Sequence, residues 1–374
     1  MSASLYTAEF VFPGHPDKLS DAIADALVQE AIQREARALV GVEVAVHRSH
    51  VYVTGRIGCT GAQEIDVDQL VRSVYQSAGY GDGWYPSAQE VQVVSNLCLG
   101  PLLEGESEFR ELSDDQAICI GYANQLEPTN HMPVEQWLVQ RLARRLYRLR
   151  NDCPELGLGP DGKVMIAVSE DCSTQQHTWS LSAFSCSLQQ KTAFDEVVLH
   201  RRVRLALEEE MQRAVDHLRG LSSGVPDQIT VNGAGAFEVG GPEGDNGLSG
   251  KKLVADAYGP RIPIGGGAWS GKDFYKADRA GGMHARRLAK AVVQLGLAPE
   301  AQVVLGWFPG DRSARLLRAT GAKGEALQLN RFAKGFDLSL LKSGTGFAEN
   351  DLVPLARWGH FVDANLPWER MVKV

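Results

Sequence analysis

The residues best equipped for chemistry lie between Gly240 and Arg279, in the stretch GGPEGDNGLSGKKLVADAYGPRIPIGGGAWSGKDFYKADR. Glycines recur through it beside Lys251, Lys252, Lys272 and Lys276, and the carboxylates of Glu243, Asp245, Asp256, Asp273 and Asp278 are spaced between them. Glycine lets backbone N–H groups approach phosphate oxygens, lysine supplies a compact positive charge, and carboxylates hold Mg²⁺. Together they predict a cradle for a polyphosphate and its metal. In a solvated surface loop, the bland alternative, lysines would be scattered rather than set at fixed offsets from glycines.

A second constellation sits near the start, in GHPDKLSDAIADALVQEAIQREA. Pro16 suits a first helical position, and Leu19, Ile23, Leu27 and Ala31 recur at helical spacing, so an amphipathic helix is expected. His15, Asp17 and Lys18 stand at its mouth. A helix N-terminus is a ready anion site, and an acid beside it can bring a metal. Asp21 and Asp25, on the other face, read as acids complementing the helix dipole.

Other elements must position these groups. VGVEVAV and VYVTGRIG alternate as strands around His47 and His50, which predicts a hairpin. In that register Glu43 faces Thr54, and Arg56 lies diagonally within reach of Glu43. Helices are expected over 65–77, 134–149, 194–218 and 276–295, and strands over 91–97 and at VMIAVSE, TWSLSAFSCSL, QITVNG and QVVLGWF. This alternation, three times over, predicts an α+β protein of three similar units, over residues 1–100, 113–232 and 233–374.

A chain of 374 residues suits two or three domains, and 44% hydrophobic with 22% charged residues is ordinary for a soluble globular protein. A net charge of -8 argues against a nucleic-acid binder, so any phosphate site must be local. The cysteines at 59, 98, 119, 153, 172 and 186 never form a CxxC pair, which suggests neither a zinc ribbon nor a disulfide framework and fits a reducing cytoplasm. No signal-peptide pattern or long apolar run occurs, so neither export nor membrane insertion is expected. Gly266–Lys272 matches GxxxxGK, the start of a P-loop, but Asp273 stands where Ser or Thr should hold Mg²⁺ and PRIPI is a poor buried strand.

GGGAWSGKD followed by KxDR, GGPEGDNGLSGKK upstream, GHPDK at the start and GHFxxxxxPWE at 359–369 resemble, in order and across nearly the whole chain, the S-adenosylmethionine synthetase (methionine adenosyltransferase) family. The resemblance implies three α/β-sandwich units related by pseudo-threefold symmetry, in a homodimer or dimer of dimers with the active site between subunits. It implies attack of methionine sulfur on C5′ of ATP, release of triphosphate, and hydrolysis of that to pyrophosphate and phosphate. It carries over His15, Lys163 and Lys272 as catalytic, His15 lying near the breaking C5′–O bond. Asp161, Phe237 (stacked on adenine), Asp245, Lys251, Lys252 and Ala268 join them in binding ATP. Asp17 and Asp278 become Mg²⁺ ligands and Glu43 a K⁺ ligand. Asp115, Asp245 and Lys276 face the acceptor.

Departures from the family pattern concentrate on the acceptor side. Arg56 replaces a glutamate that helps hold the methionine ammonium, Trp307 a small aliphatic residue, Ala236 an arginine, and Lys251 an arginine. The family's glutamine near Leu99 and Gly100 is missing and the loop after it is shorter. Its GAGDQG reads LSDDQA over 112–117, keeping Asp115 and Gln116. Two expectations follow from Arg56: an acceptor other than ordinary methionine, or an internal cation that substitutes for K⁺ at Glu43. A paralogue with another acceptor and a catalytically weak, ATP-binding regulatory subunit are the alternatives to a synthetase.

Overall fold

The computed structural model describes residues 4–81, 83–172, 177–191, 195–348 and 351–370. In chain order its strands are β1 (Ser4–Val11), β2 (Leu39–His47), β3 (His50–Gly58), β4 (Gln92–Gly100), β5 (Ala117–Asn124), β6 (Leu158–Asp171), β7 (Thr178–Gln190), β8 (Thr230–Val231), β9 (Gly247–Leu248), β10 (Glu300–Trp307) and β11 (Arg315–Thr320). Its α-helices are α1 (Pro16–Arg34), α2 (Val67–Ala78), α3 (Val134–Asp152), α4 (Glu196–His217), α5 (Leu253–Asp256), α6 (Ala277–Gln294), α7 (Asn330–Ala333), α8 (Leu340–Gly346) and α9 (Leu352–Trp358).

Local signals act as the sequence predicts. His47 pairs with His50, Glu43 with Thr54, and Arg56 with Gly41, one diagonal step from Glu43. Asp66 caps α2 by accepting from the Gln69 N–H at 2.9 Å, and Asp195 caps α4 through Val197 N at 2.7 Å. QITVNG contributes only the two-residue β8, parallel to β7.

The strands assemble into three sheets, ordered β4-β3-β2-β9, β1-β6-β7-β8 and β11-β10-β5. These sheets are not built from contiguous chain. The first segment lends β1 to the sheet of the second, the second lends β5 to the sheet of the third, and the third lends β9 to the sheet of the first. The expected boundaries therefore delimit stretches of chain whose sheets are completed by exchange. Helices α1 and α2 pack on the first sheet, α3 on the second with α4 beside it in the same core, and α6 on the third. Each sheet–helix pair closes its own core, for example Ile23, Leu27, Val42 and Val53 in the first, Leu138, Leu142, Val164 and Phe184 in the second, and Leu288, Val292, Val303 and Leu305 in the third.

The alternation of the strands leaves the other face of each sheet open. Tyr52, Ile118, Met165 and Leu317 are exposed there.

Candidate active site

The glycine-rich run is held against α1 by that helix's acids. Asp17 accepts from Leu248 N at 3.0 Å, Asp21 from Gly250 N at 2.7 Å, and Asp25 from Gly271 N at 3.0 Å. One turn apart on the helix, the three carboxylates grip three successive points of the run. The dipole role expected for Asp21 and Asp25 is thereby corrected: both are buried clamps. Asp25 also takes both arms of the buried Arg279, at 2.7 and 3.0 Å. The fit is close enough that a Cβ on Gly247 would lie 2.2 Å from the Pro16 carbonyl. On the far side, Val42 N donates to Gly271 O at 2.9 Å and Val40 N to Asp273 Oδ2 at 2.7 Å, so Lys272 is carried on backbone pinned to both α1 and β2. Lys18, expected at the helix mouth, is instead fully buried on Asp256 and the Ala356 carbonyl.

His15 has two roles. It is the N-cap of α1, its Nδ1 accepting from Asp17 N at 3.2 Å, and its ring also lines a cavity of about 360 Å³. With Nδ1 an acceptor, the neutral ring carries its hydrogen on Nε2. Burial, reinforced by Lys252 and Lys163 and opposed by Asp17, depresses the His15 pKa to about 4, so the imidazole is neutral at pH 7. Tyr80 holds this loop by donating to the Gly14 carbonyl at 2.6 Å.

Asp161, Lys163, Phe237, Asp245 and Ala236 line the same cavity, which brings the residues expected on the nucleotide side together from β6, the segment after β8, and the start of the glycine-rich run. Asp161 sits where the β6–β7 register shifts, and its Oδ2 accepts from Gly241 N at 2.7 Å. Burial raises its carboxyl to about 6 despite that bond. Phe237 is half-buried against Gly240, where a Cβ would lie 2.8 Å from the ring.

Every cation of the cradle already has an acid beside it. Lys163 pairs with Glu9 at 2.8 Å, Lys252 with Asp17 at 3.0 Å, Lys251 with Asp17 at 3.5 Å, and Lys272 with Asp278 at 2.6 Å. Burial alone would raise the Asp17 carboxyl, but the Leu248 N–H and Lys252 outweigh it and hold the group below its ordinary value. Lys251 and Lys252 line a neighbouring cleft of about 390 Å³ with Glu9 and Met165. Ala268 abuts Gly250, where a Cβ would come within 2.6 Å of its own. Asp278, at the start of α6, faces Gly267, and a Cβ there would overlap the carboxylate at 2.0 Å. Asp17 and Asp278 each offer a hard oxygen, and among the described residues neither has two further His, Cys, Asp or Glu ligands close by. That donor set suits Mg²⁺, which binds through one or two carboxylates and completes its shell with phosphate oxygens and water.

The acceptor-side expectations change most. Arg56 does not meet Glu43: its guanidinium turns to Glu106 at 2.9 Å and to the Pro101 carbonyl at 2.7 Å, while exposed Glu43 accepts from Ser249 Oγ at 2.7 Å. The internal replacement of K⁺ by Arg56 is thus not formed. Arg37 on Glu111 at 3.1 Å, and buried Arg110 on Asp273 and the Ala38 carbonyl, hold the same loop. Lys276 meets Asp114 at 2.5 Å, whereas Asp115 is exposed and accepts from the adjacent Gln116 N–H at 2.7 Å. Trp307 is 1% exposed in the core of the third sheet, so it presents no face to an acceptor. Sequence reasoning missed Arg110, Tyr80 and Glu9 and misassigned Asp21 and Asp25, whose regular spacing with Asp17 was the one available signal of the clamp.

Family models match the chain in order: the S-adenosylmethionine synthetase N-terminal domain over residues 3–98, its central domain over 110–237 and its C-terminal domain over 239–370. The S-adenosylmethionine synthase of Corynebacterium urealyticum is 32% identical, over 100% of this chain and 98% of its own. Those of Prochlorococcus marinus and Deinococcus radiodurans are 31% and 30% identical, over 99% and 98% of this chain and 97% and 95% of theirs. With all three domains matched in sequence order and relatives aligned from end to end, the chain belongs to the S-adenosylmethionine synthetase family.

Proposed function

We propose that this chain forms S-adenosylmethionine from ATP and methionine, the methionine sulfur displacing triphosphate from C5′ and the triphosphate then being hydrolysed to pyrophosphate and phosphate. The observation that carries the reading is the one cavity lined by His15, Asp161, Lys163, Phe237 and Asp245, beside the lysine cradle. A thioether sulfur is neutral and needs no base, so the displacement calls for alignment and for stabilisation of the leaving charge. Phe237 stacks on adenine, and Asp161 and Asp245 position the ribose side. His15 Nε2–H donates to the leaving oxygen, and Lys163, Lys251, Lys252 and Lys272 exchange their carboxylate partners for phosphate oxygens. The freed carboxylates of Asp17 and Asp278 hold Mg²⁺, which when bound neutralises triphosphate charge. Lys276 lies on the acceptor side.

Methionine is favoured over a different acceptor because Arg56, the main reason to doubt it, is neutralised by Glu106. A decayed regulatory subunit is disfavoured by retention of His15, Asp17, Lys163, Lys272 and Asp278. The open sheet faces bearing Tyr52, Ile118, Met165 and Leu317 support a homodimer with the site at its interface. Among the described residues no helix is long and apolar enough to cross a membrane, and the unpaired cysteines favour the cytoplasm. Incubating the protein with Mg-ATP, then adding methionine or its analogues, tests the reading by mass spectrometry. A sulfonium product from methionine is expected. Triphosphate cleavage only with a different acceptor, or none at all, would refute it.

A further inference from the structure

At the far end of β6 from the catalytic cavity, three side chains of different chemistry converge. Cys172 Sγ lies 3.4 Å from His177 Nδ1, and the same nitrogen lies 3.2 Å from Glu170 Oε1. One donor atom from each of the three residues lies within 4.8 Å of the others. Hydrogen bonding serves this arrangement only weakly: an Nδ1–H donates to Glu170 and offers the Cys172 sulfur, a weak acceptor, no more than a share of the same hydrogen, whereas an Nδ1 lone pair accepts from the thiol and repels the carboxylate. A cation between the three atoms satisfies all of them at once.

The spacing names the class of cation. Tetrahedral Zn²⁺ bonds of about 2.3 Å to sulfur and about 2.0 Å to nitrogen and oxygen place S and N about 3.5 Å apart, and N and O about 3.3 Å apart. The observed separations of 3.4 and 3.2 Å match those edges. Thiolate, imidazole and carboxylate together suit a borderline-soft ion and not Mg²⁺. Trp179 Nε1–H donates to Glu170 Oε1 at 3.1 Å, orienting the carboxylate as an outer partner does in metal sites. All three residues also line a cavity of about 970 Å³ with Glu135, Arg261 and Glu300, so a fourth coordination position opens onto solvent space.

We propose that Glu170, Cys172 and His177 form a binding site for a Zn²⁺-class divalent cation, separate from the ATP site. Glu170 is seven residues from Lys163 along β6, or roughly 23 Å at ~3.3 Å per residue. Bound there, the ion ties the end of β6 to the start of β7.

The test uses the full chain, freed of metal with a chelator and titrated with Co²⁺ and then Zn²⁺. One equivalent of Co²⁺ per chain should produce a thiolate-to-metal charge-transfer band and the visible bands of four-coordinate Co²⁺, and Zn²⁺ should abolish both. Cys172→Ser should remove the charge-transfer band, and His177→Ala and Glu170→Gln should each weaken Co²⁺ binding at least tenfold. Cys98→Ser, at the other exposed cysteine, should change nothing. Zn²⁺ should raise the thermal midpoint of the parent protein and not that of Cys172→Ser. No band at one equivalent, or a band that survives Cys172→Ser, overturns the proposal.

Discussion

Asp25→Ala tests whether the glycine-rich run is positioned by the acids of α1. Asp25 and Arg279 are both 0% exposed and joined by two hydrogen bonds, and Asp25 also accepts from Gly271 N. Removing one partner of a buried ion pair costs about 3–5 kcal/mol, and stranding a buried N–H about 1–3 kcal/mol. Arg279 keeps the Lys272 carbonyl at 2.9 Å and the Phe274 ring at 4.7 Å, which argues for the lower part of the combined range, about 4 kcal/mol. Unfolding entropy of about 2.1 cal/mol/K per residue comes to about 0.8 kcal/mol/K for this chain, so the thermal midpoint should fall by about 5 °C if the molecule melts as a whole. If a unit of about 100 residues melts first, the fall reaches about 20 °C. Circular dichroism melts in one buffer measure the shift. Arg279→Met added to Asp25→Ala should recover at least half of the loss, because the uncompensated charge is gone, while KM for ATP stays raised because Gly271 and Lys272 keep only their β2 anchor and lack the one to α1. A midpoint within about 1 °C of the parent, less than about 0.8 kcal/mol, would refute the clamp.

His15→Asn separates the two roles of that residue. Asparagine is as good an N-cap, so stability should hold, while loss of the Nε2–H donor should lower kcat for sulfonium formation about 10²–10³-fold in single-turnover assays. A rate within threefold of the parent would remove His15 from the leaving-group contact. Asp161 has a folded pKa of about 6 against an ordinary 3.8, so between those values the folded state binds the extra proton and stability declines as pH rises. The ionisation penalty is fully present above pH 6. Asp161→Asn retains an oxygen for the Gly241 N–H and should therefore melt no lower than the parent at pH 7.5 and lose its relative advantage below pH 4; a lower midpoint at pH 7.5 contradicts this. Glu106→Gln should release the loop after β4 from Arg56 and raise the rate of limited proteolysis between residues 101 and 111 several-fold, whereas an unchanged digestion rate means the other arginines suffice.

Much of the fold was legible because its signals are local. The hairpin register around His47 and His50 follows from strict alternation and a two-residue turn, and α1 from a proline start and 3.6-residue periodicity. The glycine-rich run stood out for the same reason, since its glycines, lysines and aspartates recur at short spacing, and the structure holds it as one segment against α1. Arg56 and Trp307 were not. Both stood out as substitutions in a family pattern, and a pattern says which residue is unusual without saying what it touches. Arg56 found Glu106, fifty residues away, and Trp307 turned into a core.

By itself the sequence determined the family, the order of the elements and the residues proposed for the phosphate site, because each rests on residues near one another in the chain. Only the tertiary structure decided that three chain segments exchange strands β1, β5 and β9, that Asp17, Asp21 and Asp25 grip backbone more than 200 residues away, and that each lysine of the cradle is paired with an acid. The physical reason is common to all three. A buried charge or an open sheet edge must find a partner, but periodicity and composition record only the need, and packing in three dimensions selects which partner meets it.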